Sequence, residues 1–276
     1  MPAINEQHQA FITQCAPIIA NTKSIAASLA PNTVQVWPGG AVFTSIQAAI
    51  DSITHASQDE QYQVAVGSGT YKENIVMKDY VYVIGAEQSL TTITAQAKEN
   101  DPLAVVNSAS GCGISELTIN APGGAANAAP AGIKICGKGF FHISGVTINA
   151  GTGGSKSNDV KGIHNMYGSP SGDVIIGSSM ININGGAGGE GIGINLFGAT
   201  GSAPLNVTIE LSTIQVNPGP QGCYGVTAAT SAAVVLNEST ITASTYALDN
   251  DGSGSPITAN QCTINGPVSK NVVVNP

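Results

Sequence analysis

The stretch Leu117-Thr118-Ile119-Asn120 returns as Val146-Thr147-Ile148-Asn149, again as Ile181-Asn182-Ile183-Asn184, and again as Ile214-Gln215-Val216-Asn217. Each copy is an apolar anchor, a polar residue, a second apolar residue and a terminal Asn. Weaker copies begin at Ile93, Ile241 and Ile264, so the anchors recur every 23 to 35 residues along most of the chain. Alternation of apolar and polar residues is strand periodicity, because successive side chains of a strand face opposite sides. A short strand that recurs at a period of roughly 20–50 residues points to stacked coils rather than to one open sheet.

Two further series run beside the first. One reads Gly132-Ile133-Lys134-Ile135, Gly162-Ile163-His164, Gly191-Ile192-Gly193-Ile194 and Gly225-Val226-Thr227. The other precedes the anchors, as Phe141-His142-Ile143, Val174-Ile175-Ile176, Val207-Thr208-Ile209 and Val234-Val235-Leu236. Three short strands per repeat describe an all-β fold, the parallel β-helix, and the crossover rule for parallel strands makes it right-handed. Seven anchors stacked at about 4.8 Å give a core roughly 34 Å long. Asn120, Asn149, Asn184 and Asn217 are expected to stack as an asparagine ladder in a sharp bend, each amide bonding the next.

The flanks read differently. Residues 1–40 form a helical N-terminal segment, alanine-rich over 5–30, and residues 41–276 form the solenoid domain. That domain opens with a helix N-capped by Thr44 or Ser45, carrying Ile46, Ala49, Ile50 and Ile53 at helical spacing and ending near His55. Such a helix covers the edge strands of the first coil. The last residues, Asn271-Val272-Val273-Val274-Asn275-Pro276, are an apolar strand with no helix after it. Association into a homo-oligomer, through the N-terminal helices or the C-terminal coil, is therefore expected.

Charged residues are only 9% of the 276, against roughly 25% in an ordinary soluble domain. All nine basic residues are Lys, none is Arg, and the net charge is -8. This excludes nucleic acid as a partner, since neutralising phosphates needs a basic surface. No run of 18 or more apolar residues exists, so no membrane span is expected. No basic n-region precedes an apolar core at the N-terminus, so no signal peptide is expected in this chain; an extracellular or cell-surface location is nonetheless favoured. Cys15, Cys112, Cys136, Cys223 and Cys262 are odd in number and widely spaced, which supports neither a disulfide framework nor a zinc site and reads as small core residues.

Motifs for chemistry are scarce. There is no GxSxG, HExxH or P-loop, and the GxGxxG of Gly186 to Gly191 has no helix after it. Asp249-Asn250-Asp251-Gly252 reads as a polar turn, with Asp249 and Asp251 the one candidate pair for calcium. In the Gly-Ile-x-Ile strands x faces outward, which sets Lys134, His164, Gly193 and Thr227 in a row, with Lys161, Glu190 and Tyr224 at strand starts beside it. Such a face either is ordinary solvated surface or binds an extended polymer, with Glu190 or His164 as general acid or base and Lys134 as electrostatic stabiliser.

One stretch is similar to a known family. Phe43-Thr44-Ser45-Ile46-Gln47-Ala48-Ala49-Ile50, then Val64 to Ile75 with its Gly69-Thr70-Tyr71-Lys72-Glu73-Asn74 core, then Ile84-Gly85 and Thr92-Ile93-Thr94, resembles the N-terminal part of pectin methylesterases, over roughly residues 43–150. The resemblance implies a pectin-lyase-like β-helix and a polysaccharide substrate, acidic or acetylated, with esterase or lyase chemistry. It does not carry the family's catalytic aspartates, glutamines and arginine. Ala131-Gly132-Ile133-Lys134 stands in place of the Gln-rich strand ending in Arg, Lys161 near the acid Asp, and Glu190-Gly191-Ile192 in place of the nucleophile strand. The related pectate lyases use an Arg or Lys base with calcium, a role open here only to Lys134 or Lys161. The alternative reading is a non-catalytic β-helix, an adhesin or tailspike-like binding module.

Overall fold

The computed structural model describes residues 32–39, 42–95, 104–122, 130–151, 159–165, 171–185, 189–197, 205–217, 221–229, 232–252 and 255–276. The helical segment expected over 5–30 and Cys15 lie outside them. The rest is a parallel β-solenoid with one short helix, α1 (Ile46–Ser52). Each full coil contributes one strand to each of three ladders. Ladder A holds strands such as Tyr62–Val66, Gly172–Gly177 and Ala232–Asn237; ladder B holds Thr91–Thr94, Met180–Asn184 and Thr213–Asn217; ladder C holds Ala131–Lys134, Val160–His164, Gly191–Phe197, Cys223–Ala229 and Tyr246–Asn250. Every paired strand runs parallel to its neighbours, so each core residue sits on its counterpart one coil below.

Three aliphatic columns fill the interior. Val64, Val83, Ile114, Ile143, Ile176, Ile209 and Leu236 stack in ladder A. Ile93, Ile119, Ile148, Ile181, Ile214, Ile241 and Ile264 stack in ladder B. Ile75, Val106, Ile133, Ile163, Ile194, Val226 and Leu248 stack in ladder C. All but Ile264 are buried. The repeat phase differs from the sequence expectation by two residues: Ile181 sits on Ile148, not on Val146. A slip of two preserves which face every side chain takes, so alternation alone does not detect it.

The asparagine ladder changes accordingly. Asn149 donates from Nδ2 to Asn120 Oδ1 (2.9 Å), and Asn182, not Asn184, donates to Asn149 Oδ1 (3.0 Å). Asn184 instead starts a second pair, accepting from Asn217. A third run, Asn237, Asn260 and Asn275, lies in ladder A. All stand on outward-facing strand positions rather than in a bend.

The bend between ladders A and B has its own device. Glu116, Gly145, Ser178, Leu211, Glu238 and Gln261 have φ between 48° and 60°, one left-handed residue in each coil from Glu116 onward. For an ordinary residue this costs about 1–2 kcal/mol. In the following position Ser179, Ser212 and Ser239 donate to the carbonyl two residues back, at 2.7–2.9 Å, and accept the amide of the neighbouring coil, at 3.1–3.2 Å. Cys262 continues the column through Sγ to Asn260 O. These bonds satisfy polar groups that the bend would otherwise bury unpaired.

Helix α1 closes the N-terminal edge. Ser45 is its N-cap, accepting from Ala48 N and donating to Glu73 Oε2 (2.7 Å), while the Glu73 carboxylate accepts the amides of Ile46 and Gln47. Gln47 pairs its side-chain amide with both backbone groups of Val76, occupying the open edge of ladder C. The helix ends at Ser52, where Lys78 Nζ donates to the carbonyls of Asp51 and Ile53, so His55 lies beyond it. At the other end Val268, Val273 and Val274 are exposed. Of the cysteines, Cys112 and Cys223 are buried as expected; Cys136 is exposed.

Gly132, Gly162, Gly193 and Gly225 form a fourth column, facing the core before each ladder C aliphatic. A Cβ at Gly162 would stand 2.5 Å from both the Gly193 carbonyl oxygen and Ile181 Cγ2. Gly177 has nothing within 4 Å of such a Cβ. Urea denaturation should therefore show Gly162→Ala destabilised by about 1–3 kcal/mol, the cost of overpacking, and Gly177→Ala unchanged or slightly stabilised.

Candidate functional site

The glycine column decides what ladder C presents to solvent. Gly and the aliphatic after it both turn inward, so the next residue in each strand faces out. Parallel pairing then aligns Asn107, Lys134, His164, Asn195, Thr227 and Asp249 in one axial row. A second row, three residues earlier, runs through Lys161, Ile192, Tyr224 and Tyr246. The sequence expectation placed Gly193 in the first row. Gly193 belongs instead to the inward column and Asn195 takes its place, the same two-residue slip as in ladder B.

The five residues singled out for chemistry share this sheet but divide into two groups. Lys134, Lys161 and His164 occupy the earlier coils. Lys161 is buried and its ammonium is 3.1 Å from Asp159 Oδ2. His164 is 8% exposed; burial first, then the charges of Lys161 and Lys134, push its pKa down to about 4, so the imidazole is neutral at pH 7. Glu190 and Tyr224 lie in the later coils, where they line a cleft of about 290 Å³.

That cleft is built on Gly191–Phe197, Cys223–Ala229 and Tyr246–Asn250. Its polar lining is Glu190, Asn195, Thr227, Asp249 and Asp251, with Tyr224; its apolar lining includes Ile192 and Phe197. Asp159 accepts the Glu190 amide through Oδ1 (3.3 Å) and holds Lys161 through Oδ2, tying the two groups together. The Glu190 carboxyl is raised above its ordinary range by partial burial and then by the Asp159 charge, with Lys161 opposing. The Tyr224 phenol is raised too, by burial and then by Glu190 and Asp249. Its ring stacks on Tyr246, with centroids 6.3 Å apart and 21° between planes. Thr227 donates to Asn195 Oδ1 (3.1 Å) on the cleft floor.

Two buried asparagines position the rim. Asn165 donates to the Phe197 carbonyl (2.6 Å) and accepts its amide (2.7 Å), holding the half-exposed ring at the cleft edge. Asn250 accepts the Gly252 amide and the Asn271 side chain and donates to the Ser255 carbonyl, fixing the turn that carries Asp251. Asp249 and Asp251 thus both face the cleft, which the reading of that turn as a calcium pair did not anticipate. Among the described residues no group of three or more His, Cys, Asp or Glu is placed to hold a metal ion. Phe197, Tyr246 and Asn195 were not singled out from the sequence; Tyr246 was findable as the aromatic one coil after Tyr224.

No protein-family model and no curated protein matches this chain in sequence. Solved structures do. The pectin methylesterase from carrot superposes with a TM-score of 0.58 at 15% identity, over 90% of this chain and 89% of its own. That from Aspergillus niger superposes at 0.52 and 13% identity, over 90% and 86%. The fold is that of the pectin methylesterases. A mutant pectin methylesterase in complex with a hexasaccharide matches at 0.50 and 11% identity, over 87% of this chain and 92% of its own. The motif that carried the resemblance in the sequence is structural here: Tyr71 donates to Gly67 O, Glu73 caps α1, and Asn74 donates to Ala104 O. It specifies the first coils and leaves the chemistry open.

The His164 shift has a stability consequence. In the unfolded chain the imidazole titrates near 6.5, in the folded protein at about 4, so the unfolded state binds more protons between these values. Stability is fully present above pH 6.5 and falls as pH drops toward 4, by up to about 3 kcal/mol. In denaturation curves collected across that range, His164→Gln should remove this part of the slope.

Proposed function

We propose that the protein acts on, or binds, a polysaccharide laid along ladder C, with the Glu190–Tyr224–Asp249 cleft as the reacting end. The observation that carries this is the cleft itself: carboxyls and aromatic rings converge on one sheet face of a fold shared with pectin methylesterases. The axial row places a polar side chain every coil, about 4.8 Å apart, on a track that suits an extended chain of sugars. In this reading Glu190, whose carboxyl is raised, transfers the proton, Tyr224 orients the reacting sugar with its phenol, and Lys134 holds the chain in the earlier coils, over the buried Lys161 and His164. His164, neutral at pH 7, serves as hydrogen-bonding group rather than base. Asp249 and Asp251 remain a candidate calcium pair, to be read out by the effect of a chelator on the same assays.

A second reading, the non-catalytic binding module, is favoured by one observation: among the described residues, no imidazole or guanidinium lines the cleft. The two separate cleanly. The full chain is incubated with esterified, acetylated and de-esterified polysaccharides, and released methanol, acetate and unsaturated ends are measured beside binding. The enzyme reading expects turnover on one class and a loss of about 100-fold or more in Glu190→Gln with binding retained. Binding without turnover supports the module, and neither binding nor turnover overturns both.

A further inference from the structure

The cleft has a charge that the carbohydrate reading leaves unused. Among the described residues, the acidic side chains of its lining are the carboxyls of Glu190, Asp249 and Asp251, and it holds no basic one. Among the described residues, the lysine tied to this cleft, Lys161, is paired with Asp159 at 3.1 Å and is buried. Tyr224 keeps its proton, because its phenol is raised. The chain as a whole carries -8, so its overall field has the same sign as the local one.

The walls are aromatic. The Tyr224–Tyr246 stack stands on one side and the exposed Phe197 ring, held by Asn165, at the rim. Ring faces attract cations and the C–H faces of sugars, and they offer an anion nothing. A uronate carboxylate entering this cleft would meet three carboxylates and lose its hydration without a partner. An ammonium would gain a charge-assisted hydrogen bond and a ring face at once.

We infer that the cleft takes a cationic amino sugar, in preference to a neutral sugar and with exclusion of uronates. The inference rests on the carbohydrate reading above and narrows its substrate class. It differs from the expectation of an acidic polysaccharide, whose charge has the wrong sign for this cavity.

Calorimetric titration of the full chain at slightly acidic pH and low salt tests it, with hexamers of glucosamine, N-acetylglucosamine and galacturonate, and with putrescine as a cation that is not a sugar. The glucosamine hexamer should bind at least about tenfold tighter than its acetylated counterpart, and galacturonate weakest. Added salt should erode the difference, as should the double variant Asp249→Asn, Asp251→Asn. Equal binding of glucosamine and N-acetylglucosamine, a preference for galacturonate, or a preference that survives in the double variant would overturn the inference and leave the carbohydrate reading standing. Binding of putrescine alone, with no hexamer bound, would overturn the carbohydrate reading and the amino sugar with it.

Discussion

Parallel pairing of each coil on the one before it governs the rest of this molecule. The backbone ladder repeats at about 4.8 Å, so every side chain has as its closest neighbour the residue one coil away. Only side chains compatible with their own kind can then form long columns. Isoleucine stacks on isoleucine, glycine makes room for the carbonyl of the next glycine, and an asparagine amide donates to the carbonyl of the one below. A column of like charges would repel at that spacing. This accounts for a chain with only 9% charged residues, and for a row in which Lys134 is followed by a histidine that stays neutral.

The same constraint makes the site a matter of columns. Because Gly and the next aliphatic both point inward, the residue after them is delivered to the outer face in every coil. Position along the axis, rather than proximity in sequence, decides its neighbours. Lys161 and Asp159 are two residues apart in the chain, yet what joins them to Glu190, one coil away, is the Asp159 carboxylate bridging a side chain and a backbone amide. The result is a face with cations in its earlier coils and carboxylates and rings in its later ones.

The fold was legible because a repeated strand pattern has few physical interpretations, and the ladder A series was in correct register throughout. The errors in the other ladders were slips of two residues, at Ile93, at Asn184 and at Gly193. Either phase keeps apolar residues inside, so hydrophobic pattern carries no information that separates them. What separates them is local: the left-handed residue and the Ser after it in one case, the Gly that cannot carry a Cβ in the other. Glu190 and Tyr224 were legible as outward residues at strand starts. Asp249 and Asp251 were visible but read as a turn, since their convergence with Glu190 depends on the register of two successive strand pairings. Cys136 shows the limit of composition, because an exposed position beside ladder C looks no different in sequence from a core one.

From Gly177 onward the corner between ladders A and B has a constant length, two residues between Gly177 and Met180, between Glu210 and Thr213, between Asn237 and Thr240, and between Asn260 and Thr263, whereas the earlier corner from Gly85 to Thr91 is longer. One residue more would turn the following strand inside out. Yet successive coils differ widely: bonded asparagine neighbours are 33 residues apart in one place and 15 in another. In these later coils all of that difference is discharged at the two corners that border ladder C. The solenoid is thus a hinge-bound book, with an inextensible spine of left-handed residues and serines and free margins on either side of the page that bears the cleft. New recognition surface can be written into those margins one coil at a time, and the binding, far from the insertion, never feels it.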